Sequence, residues 1–185
     1  MDKTVHLTTT ELDAGLERIR QAPKDEGSLE LIVRRPHEDG RETLESGQLD
    51  LDEGLVGDDW KVRAASTNPD DPSPTDDQIT LMNSRVIALL ARTKDRWALA
   101  GDQFYVDLDL SVENIPPGSR LVLGSAVLEV TARPHTGCDK FAARFGTAAV
   151  KFVNSPEGKR LRLRGVNTRI VQPGVVRLGD TVKKL

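Results

Sequence analysis

Apolar residues recur along this chain at two periods. Leu12, Leu16 and Ile19 fall at the i, i+4, i+7 spacing of a helix face, with Thr8-Thr9-Thr10-Glu11 just ahead of them. A threonine hydroxyl accepts from the first free amides of a helix, so this spacing predicts a capped helix that Ala22-Pro23 ends. From residue 29 the apolar positions run together as Leu29-Glu30-Leu31-Ile32-Val33 and stop at Pro36, which reads as a strand. His37-Glu38-Asp39-Gly40 reads as a turn, and residues 41–51 as a polar strand or loop returning from it.

The same reading continues to the C-terminus. Residues 79–82 form a short strand, and Ser84 is placed to cap a helix through Val86, Ile87, Leu89 and Leu90. Residues 97–102 read as a loop and residues 104–108 as a strand, and Pro116-Pro117-Gly118 marks a turn. Two β-branched runs, 121–123 and 126–131, flank Gly124-Ser125 and predict a hairpin. Phe141 and Phe145 lie four apart before Gly146, predicting a helix over 138–145 with a glycine cap, and a second short helix follows over 148–153. Residues 158–164 alternate basic residues with leucine, a pattern that suits an exposed strand face. Short strands at 166–171, 175–177 and 181–182 are separated by Pro173-Gly174 and Gly179-Asp180. Many short strands with glycine turns predict a mainly β fold with a few short helices, a barrel or a sandwich. Residues 66–77, rich in Pro, Asp, Ser and Thr, are too polar for a core and read as a surface loop; their acids lack the ordered ligand spacing of a calcium loop.

Composition narrows this picture. A chain of 185 residues suits one domain, here residues 1–185 with residues 1–27 as a helical N-terminal extension. Aromatics make up only 4%, so the core is expected to rest on Val, Leu, Ile and Ala. No apolar run reaches the roughly 20 residues of a membrane helix, the first residues carry no basic-then-apolar leader, and one cysteine cannot close an internal disulfide; together these favour a cytoplasmic protein without a membrane partner. The net charge of −3 hides an asymmetry: residues 1–132 carry 14 Lys+Arg against 26 Asp+Glu, and residues 133–185 carry 12 against 3. A basic half joined to an acidic half means either an anionic partner or pairing between the halves. Nucleic acid is disfavoured as that partner, because the basic half is poor in stacking aromatics and carries no nucleic-acid motif.

The candidate chemistry sits in Pro134-His135-Thr136-Gly137-Cys138. Cys138 is the only cysteine, placed where a strand ends and a helix begins, with Lys140 and Arg144 on the following turns. Unpaired helix amides and nearby cations favour a thiolate, Gly137 leaves room for a ligand to approach the backbone, and His135 is placed to orient or deprotonate the sulfur. The plain alternative is a small buried hydrophobe, the usual fate of a lone cysteine. A zinc site built from His135 and Cys138 alone is disfavoured, since structural zinc takes four ligands. Arg133, Lys140, Arg144, Lys159, Arg160, Arg162, Arg164 and Arg169 form the basic set, and any that converge on Cys138 would make an anion pocket beside it.

Several segments carry a resemblance when taken in order. They are residues 101–110 (GDQFYVDLDL), Glu113-Asn114-Ile115-Pro116-Pro117-Gly118, residues 128–141 (LEVTARPHTGCDKF), Arg164-Gly165-Val166-Asn167, Pro173-Gly174 and Gly179-Asp180. Over residues 50–185 the chain resembles the MOSC domain, found at the C-terminus of molybdenum cofactor sulfurases and in stand-alone bacterial proteins. The resemblance implies a β-barrel, and it matches Cys138 to the family's characteristic cysteine, a persulfide carrier or a ligand to molybdopterin-bound molybdenum. It also implies that Asn114 lies near the pocket, and that His135, Thr136, Gly137, Lys140, Arg144 and Arg164 bind the anionic pterin or position the thiol. Pyridoxal phosphate is linked to the family only through a separate sulfurase domain, and this chain has neither room for that domain nor its lysine motif. Residues 1–50 match less well and are expected to pack on the barrel. Three functions follow as expectations: a molybdenum-cofactor-binding or sulfur-carrier domain, served by a sulfur donor; a molybdenum-dependent reductase component for N-hydroxylated substrates, which would need an electron-transfer partner protein; or a non-enzymatic module for an acidic partner.

Overall fold

A computed structural model describes residues 5–185. Its strands are β1 (Glu26–Arg34), β2 (Glu42–Leu44), β3 (Ser46–Asp50), β4 (Gly54–Leu55), β5 (Ile79–Asn83), β6 (Phe104–Asp107), β7 (Arg120–Leu123), β8 (Ala126–Val130), β9 (Val166–Gln172), β10 (Gly174–Arg177) and β11 (Thr181–Lys184). The helices are α1 (Thr9–Ala14), α2 (Leu16–Arg20), α3 (Trp60–Thr67), α4 (Ser84–Ala91), α5 (Asp139–Phe145), α6 (Thr147–Asn154) and α7 (Pro156–Arg160), with a 3-10 segment at Lys94–Ala100.

Seven strands close on themselves in the order β1, β11, β7, β8, β9, β5, β6 and back to β1, a closed β-barrel with β2 added along β1. Only β5 and β6 run parallel. Closure removes the free strand edges that an open sheet would leave. β1 makes it possible because one of its edges pairs with β6, while the other pairs with β11 over residues 26–28 and with β2 over residues 32–34. So residues 26–34, ahead of the segment that matched the family best, are a stave of the barrel.

Strand β1 also explains its unbroken apolar run. Its pairing with β6 slips between Leu29 and Leu31, and this bulge resets the alternation. Leu29 and Ile32 join the barrel interior with Ile79, Leu81, Phe104 and Val106, while Leu31 and Val33 face a second core beneath the helices. A strand buried on both faces cannot show a period of two. The aromatic residues concentrate in that second core, where Trp97, Tyr105, Phe141, Phe145 and Phe152 pack with Leu12, Val86 and Leu163. The barrel interior is almost wholly aliphatic, as the composition suggested, with Phe104 as its aromatic member.

Local signals account for most helices. Thr8 and Glu11 form a reciprocal capping box on α1, and Gly15 separates it from α2, so the N-terminal apolar face is carried by two short helices; the first four residues of the expected extension lie outside the described residues. The cap of α4 is Asn83, whose side chain accepts from the Arg85 amide at 2.8 Å, with Ser84 one place inside the helix. Two readings change, and one helix falls where none was expected. Residues 60–67 are helical although they show no apolar period, because α3 buries only Trp60. Residues 94–100 coil into the 3-10 segment. Residues 158–164 are not a strand face: Ser155 caps α7 with Pro156 in its first position, and the chain then turns through Arg162 and Gly165, both at positive φ. Gly165, at φ +116°, lets the Leu81 carbonyl approach so closely that a Cβ would sit 2.3 Å from it. Gly165→Ala is therefore expected to cost at least the roughly 1–3 kcal/mol of a forbidden backbone conformation, read as a lowered thermal midpoint; an unchanged midpoint would contradict the close approach. Among the described residues no helix is long and apolar enough to cross a membrane.

Candidate functional site

A cleft of about 1090 Å³ lies against the barrel. Its walls are the 36–41 turn, α3, the 133–138 loop and the first turns of α5. Cys138 lines it as the N-cap residue of α5, exposed and free. Its thiol makes no hydrogen bond to the described residues and does not cap the helix amides. The buried-hydrophobe alternative therefore does not describe Cys138.

Two asparagines hold the cysteine loop in shape. Asn154, at the end of α6, donates to the Gly137 carbonyl at 3.0 Å and accepts from the Gly137 amide at 2.9 Å. Buried Asn167, on β9, donates to the carbonyls of Arg133 and Pro134, both at 3.1 Å. The loop is thus splinted from both sides, and the thiol projects from a fixed backbone.

Beneath it lies a buried triad. Asp102, fully buried, bonds His135 Nε2 at 2.7 Å through one oxygen and Arg164 Nη1 at 2.6 Å through the other. Arg164 also donates to the Ala100 carbonyl at 2.9 Å and stacks its guanidinium 4.9 Å from the Phe141 ring centre. Burial alone would raise the Asp102 carboxyl, but the charges of Arg164 and His135 outweigh it and hold the group at about 2. Burial and the Arg164 charge push the His135 imidazole below its ordinary value, against the pull of Asp102. A neutral imidazole beside an ionised carboxylate must place its proton on Nε2 to donate that bond. Nδ1 is then the acceptor that His135 retains for the cleft. His135 is committed to Asp102, and no bond joins it to the sulfur.

A row of carbonyls organises the surrounding arginines. Ala98, Leu99, Ala100 and Gly101 end the 3-10 segment, where the Ala98 carbonyl takes the Gly101 amide and the terminal carbonyls carry partial negative charge. Arg41 Nε donates to the Ala98 oxygen at 3.2 Å, Arg144 Nη1 to Leu99 at 2.8 Å, Arg164 Nη2 to Ala100 at 2.9 Å and Arg35 Nη1 to Gly101 at 2.9 Å. Four residues scattered over the sequence thus meet on four consecutive carbonyls.

The structure gathers His135, Thr136, Cys138, Lys140, Arg144 and Arg164 around the cleft, with Gly137 between them in the loop. The cations expected to stabilise a thiolate already have partners: Lys140 pairs with Glu38 at 2.8 Å and Arg144 with Asp39 at 3.0 Å. Arg164 is spent on Asp102. Asn114 lies outside the cleft. It lines a separate pocket of about 380 Å³, where its amide donates to the Lys24 and Asp109 carbonyls and accepts from Lys184. That side chain ties the 109–114 turn to the N-terminal segment and to β11, which explains its placement without a ligand. Of the other basic residues, Arg133 reaches the rim but binds Asp71 at 2.7 Å and Asp77 at 3.3 Å, while Arg160 and Arg169 pair with Glu113 and Glu129. The charge asymmetry between the halves is met in large part by pairs across it. The acids of the 66–77 loop serve the same end, and among the described residues no cluster of His, Cys, Asp and Glu could hold a metal ion by itself.

Asp102, Asn154, Asn167, Arg35, Arg41 and Asp58 escaped the sequence reading as site residues. A local signal existed only for Asp102 and Asn167, which sit in the Gly101-Asp102 and Arg164-Gly165-Val166-Asn167 segments already singled out.

A family model described as MOSC domain matches residues 75–183. The fold is similar to that of the YuaD protein from Bacillus subtilis, at 16% identity and a TM-score of 0.63, covering 86% of this chain and 95% of that one. It is also similar to YiiM from Escherichia coli, at 18% identity and a TM-score of 0.54 over 85% of this chain and 69% of that one. YiiM from Geobacillus stearothermophilus gives 15% identity and a TM-score of 0.52 over 86% and 73%. Comparison with curated proteins finds no match.

Proposed function

The chain belongs to the MOSC domain family, and from that premise we propose that its cleft binds a molybdenum–pterin cofactor with Cys138 as the metal's protein ligand. The observation that carries this reading is Cys138 itself: an exposed, unpartnered sulfur on a splinted loop at the mouth of a cleft large enough for a pterin and a further small molecule. The donor set fits the group. A thiolate is a soft ligand of the kind that metal–sulfur chemistry requires, and the polar lining supplies Thr136, the acceptor nitrogen of His135 and the guanidinium of Arg41. The bound cofactor would supply two-electron redox or sulfur chemistry. The chain's own residues would hold and orient it. Asn154 and Asn167 hold the backbone of the loop that carries Cys138, and Asp102 keeps His135 in the tautomer whose free nitrogen accepts a proton or a hydrogen bond.

The experiment is retention. Protein purified from a molybdenum-replete host is expected to carry molybdenum and an oxidisable pterin, measured by elemental analysis and pterin fluorescence, and Cys138→Ser is expected to lose the metal while keeping its thermal midpoint. A wild type that retains neither, or a Cys138→Ser protein that retains both equally, would sink the reading. The module for an acidic partner fits less well, since Lys140, Arg144, Arg160 and Arg169 already have internal carboxylates.

A further inference from the structure

Charge bookkeeping around the cleft leaves one residue over. Arg35 is paired with Asp58, Arg63 with Asp59, Arg133 with Asp71 and Asp77, Arg144 with Asp39 and Arg164 with Asp102. Arg41 alone among the cleft-lining arginines has no carboxylate partner in the described residues. It is nevertheless rigidly built in. Nε donates to the Ala98 carbonyl at 3.2 Å and Nη1 to the Gly40 carbonyl at 2.6 Å, which fixes the guanidinium plane and leaves Nη2 with no hydrogen-bond partner among the described residues. The group is half-buried, and burial together with the nearby charges of Arg144 and Arg35 disfavours its charged form. The nearby Asp39 carboxylate favours the charge but is already bound to Arg144 and Lys140, so the partly desolvated guanidinium has no carboxylate of its own, and a fixed guanidinium is prepared for an oxyanion.

We infer that Arg41 is the anion-docking residue of the cleft, receiving a phosphate or carboxylate group of the molecule that binds beside Cys138. The identity of that molecule rests on the cofactor reading above; the anion site does not. Lys140 and Arg144, whose charges are met by Glu38 and Asp39, are not the primary anchors.

The test is titration of the full chain with inorganic phosphate, and separately with acetate, at constant ionic strength, followed by calorimetry and by the thermal midpoint. Wild type is expected to bind at least one of the two saturably, the tighter one naming the class of group docked, and to gain thermal stability from it. Arg41→Met is expected to bind about tenfold more weakly or worse, as loss of one charge-assisted contact implies, and to gain no stability from the anion. Arg41→Gln keeps a donor for the backbone carbonyls without the charge and guards against a folding artefact; it should behave like Arg41→Met. Arg120→Met, which removes an arginine outside the cleft, should bind the anion as wild type does. Equal anion binding by wild type and both Arg41 variants, or no saturable binding of either anion by wild type, would overturn the inference. Anion binding through Arg41 in a protein that retains no molybdenum would remove the cofactor reading and leave this site standing.

Discussion

Asp102→Ala is expected to destabilise the fold by about 3–5 kcal/mol, because it strands the buried guanidinium of Arg164 without its counter-ion. The side chain is fully buried and its two oxygens hold His135 and Arg164 at 2.7 and 2.6 Å. Arg164 already lacks a partner for Nε, so no second acceptor is at hand to take up the lost bond. Chemical denaturation is the measurement. A loss below about 1 kcal/mol, the scale of an exposed pair, would show that Asp102 does not carry the charge of Arg164.

The same triad sets the response to acid. His135 has a lowered folded value, so the unfolded chain takes up its proton first as the pH falls below about 6.5. Asp102 is held at about 2 when folded against 3.8 when free, so its contribution is present above the unfolded value and drains away between about pH 4 and pH 2. Both shifts make the unfolded state the better proton acceptor, and stability therefore declines with acid in both windows. The Asp102 step amounts to about 2 kcal/mol. It should be missing from the pH profile of Asp102→Ala, whereas a parallel decline in that variant would assign the acid limb to other groups.

What was legible in the sequence was what local chemistry decides. The β7–β8 hairpin follows from Gly124-Ser125 between two β-branched runs, and the cysteine loop follows from Pro134, Gly137 and the aromatic spacing of α5. Helix α3 and the 3-10 segment were not legible, because neither has an amphipathic period; Trp60 alone anchors the one, and the other owes its position to arginines packed on its last carbonyls. The site shows the same division. Cys138 and His135 are three residues apart, and their proximity could be read directly. The partner of His135 lies 33 residues away and the partner of Asp102 on Arg164 lies 62 away, and nothing local announces either. Long-range pairing also reversed an electrostatic expectation. Lys140 and Arg144 stand beside the cysteine in sequence, but the 37–40 turn brings Glu38 and Asp39 to them, so the unpaired charge of the cleft falls to Arg41, in a segment that read as a returning strand. Asn114 is the converse case. A matching segment suggested a place near the pocket, while its amide is consumed by backbone carbonyls at the other site.

Asp58→Ala should prove at least as damaging as Asp102→Ala, about 3–5 kcal/mol, and for a reason that can be separated from simple loss of contacts. The Asp58 carboxylate is wholly buried and accepts from Arg35 at its amide, Nε and Nη2, and from the Trp60 amide, at 2.7–3.0 Å. It joins the end of β1 to the start of α3, so its removal loosens one wall of the cleft as well as isolating Arg35. Most of the loss should be the penalty of the isolated charge. The double variant Arg35→Met/Asp58→Leu, which replaces the pair by apolar side chains, should therefore recover a large part of the stability that Asp58→Ala loses, as buried pairs elsewhere do. If it does not, the energy lies in the hydrogen bonds that Asp58 makes to the Arg35 and Trp60 amides, and the carboxylate is holding the backbone rather than the guanidinium. Arg35→Met alone separates the two further, because it leaves those backbone bonds in place and strands the carboxylate in turn.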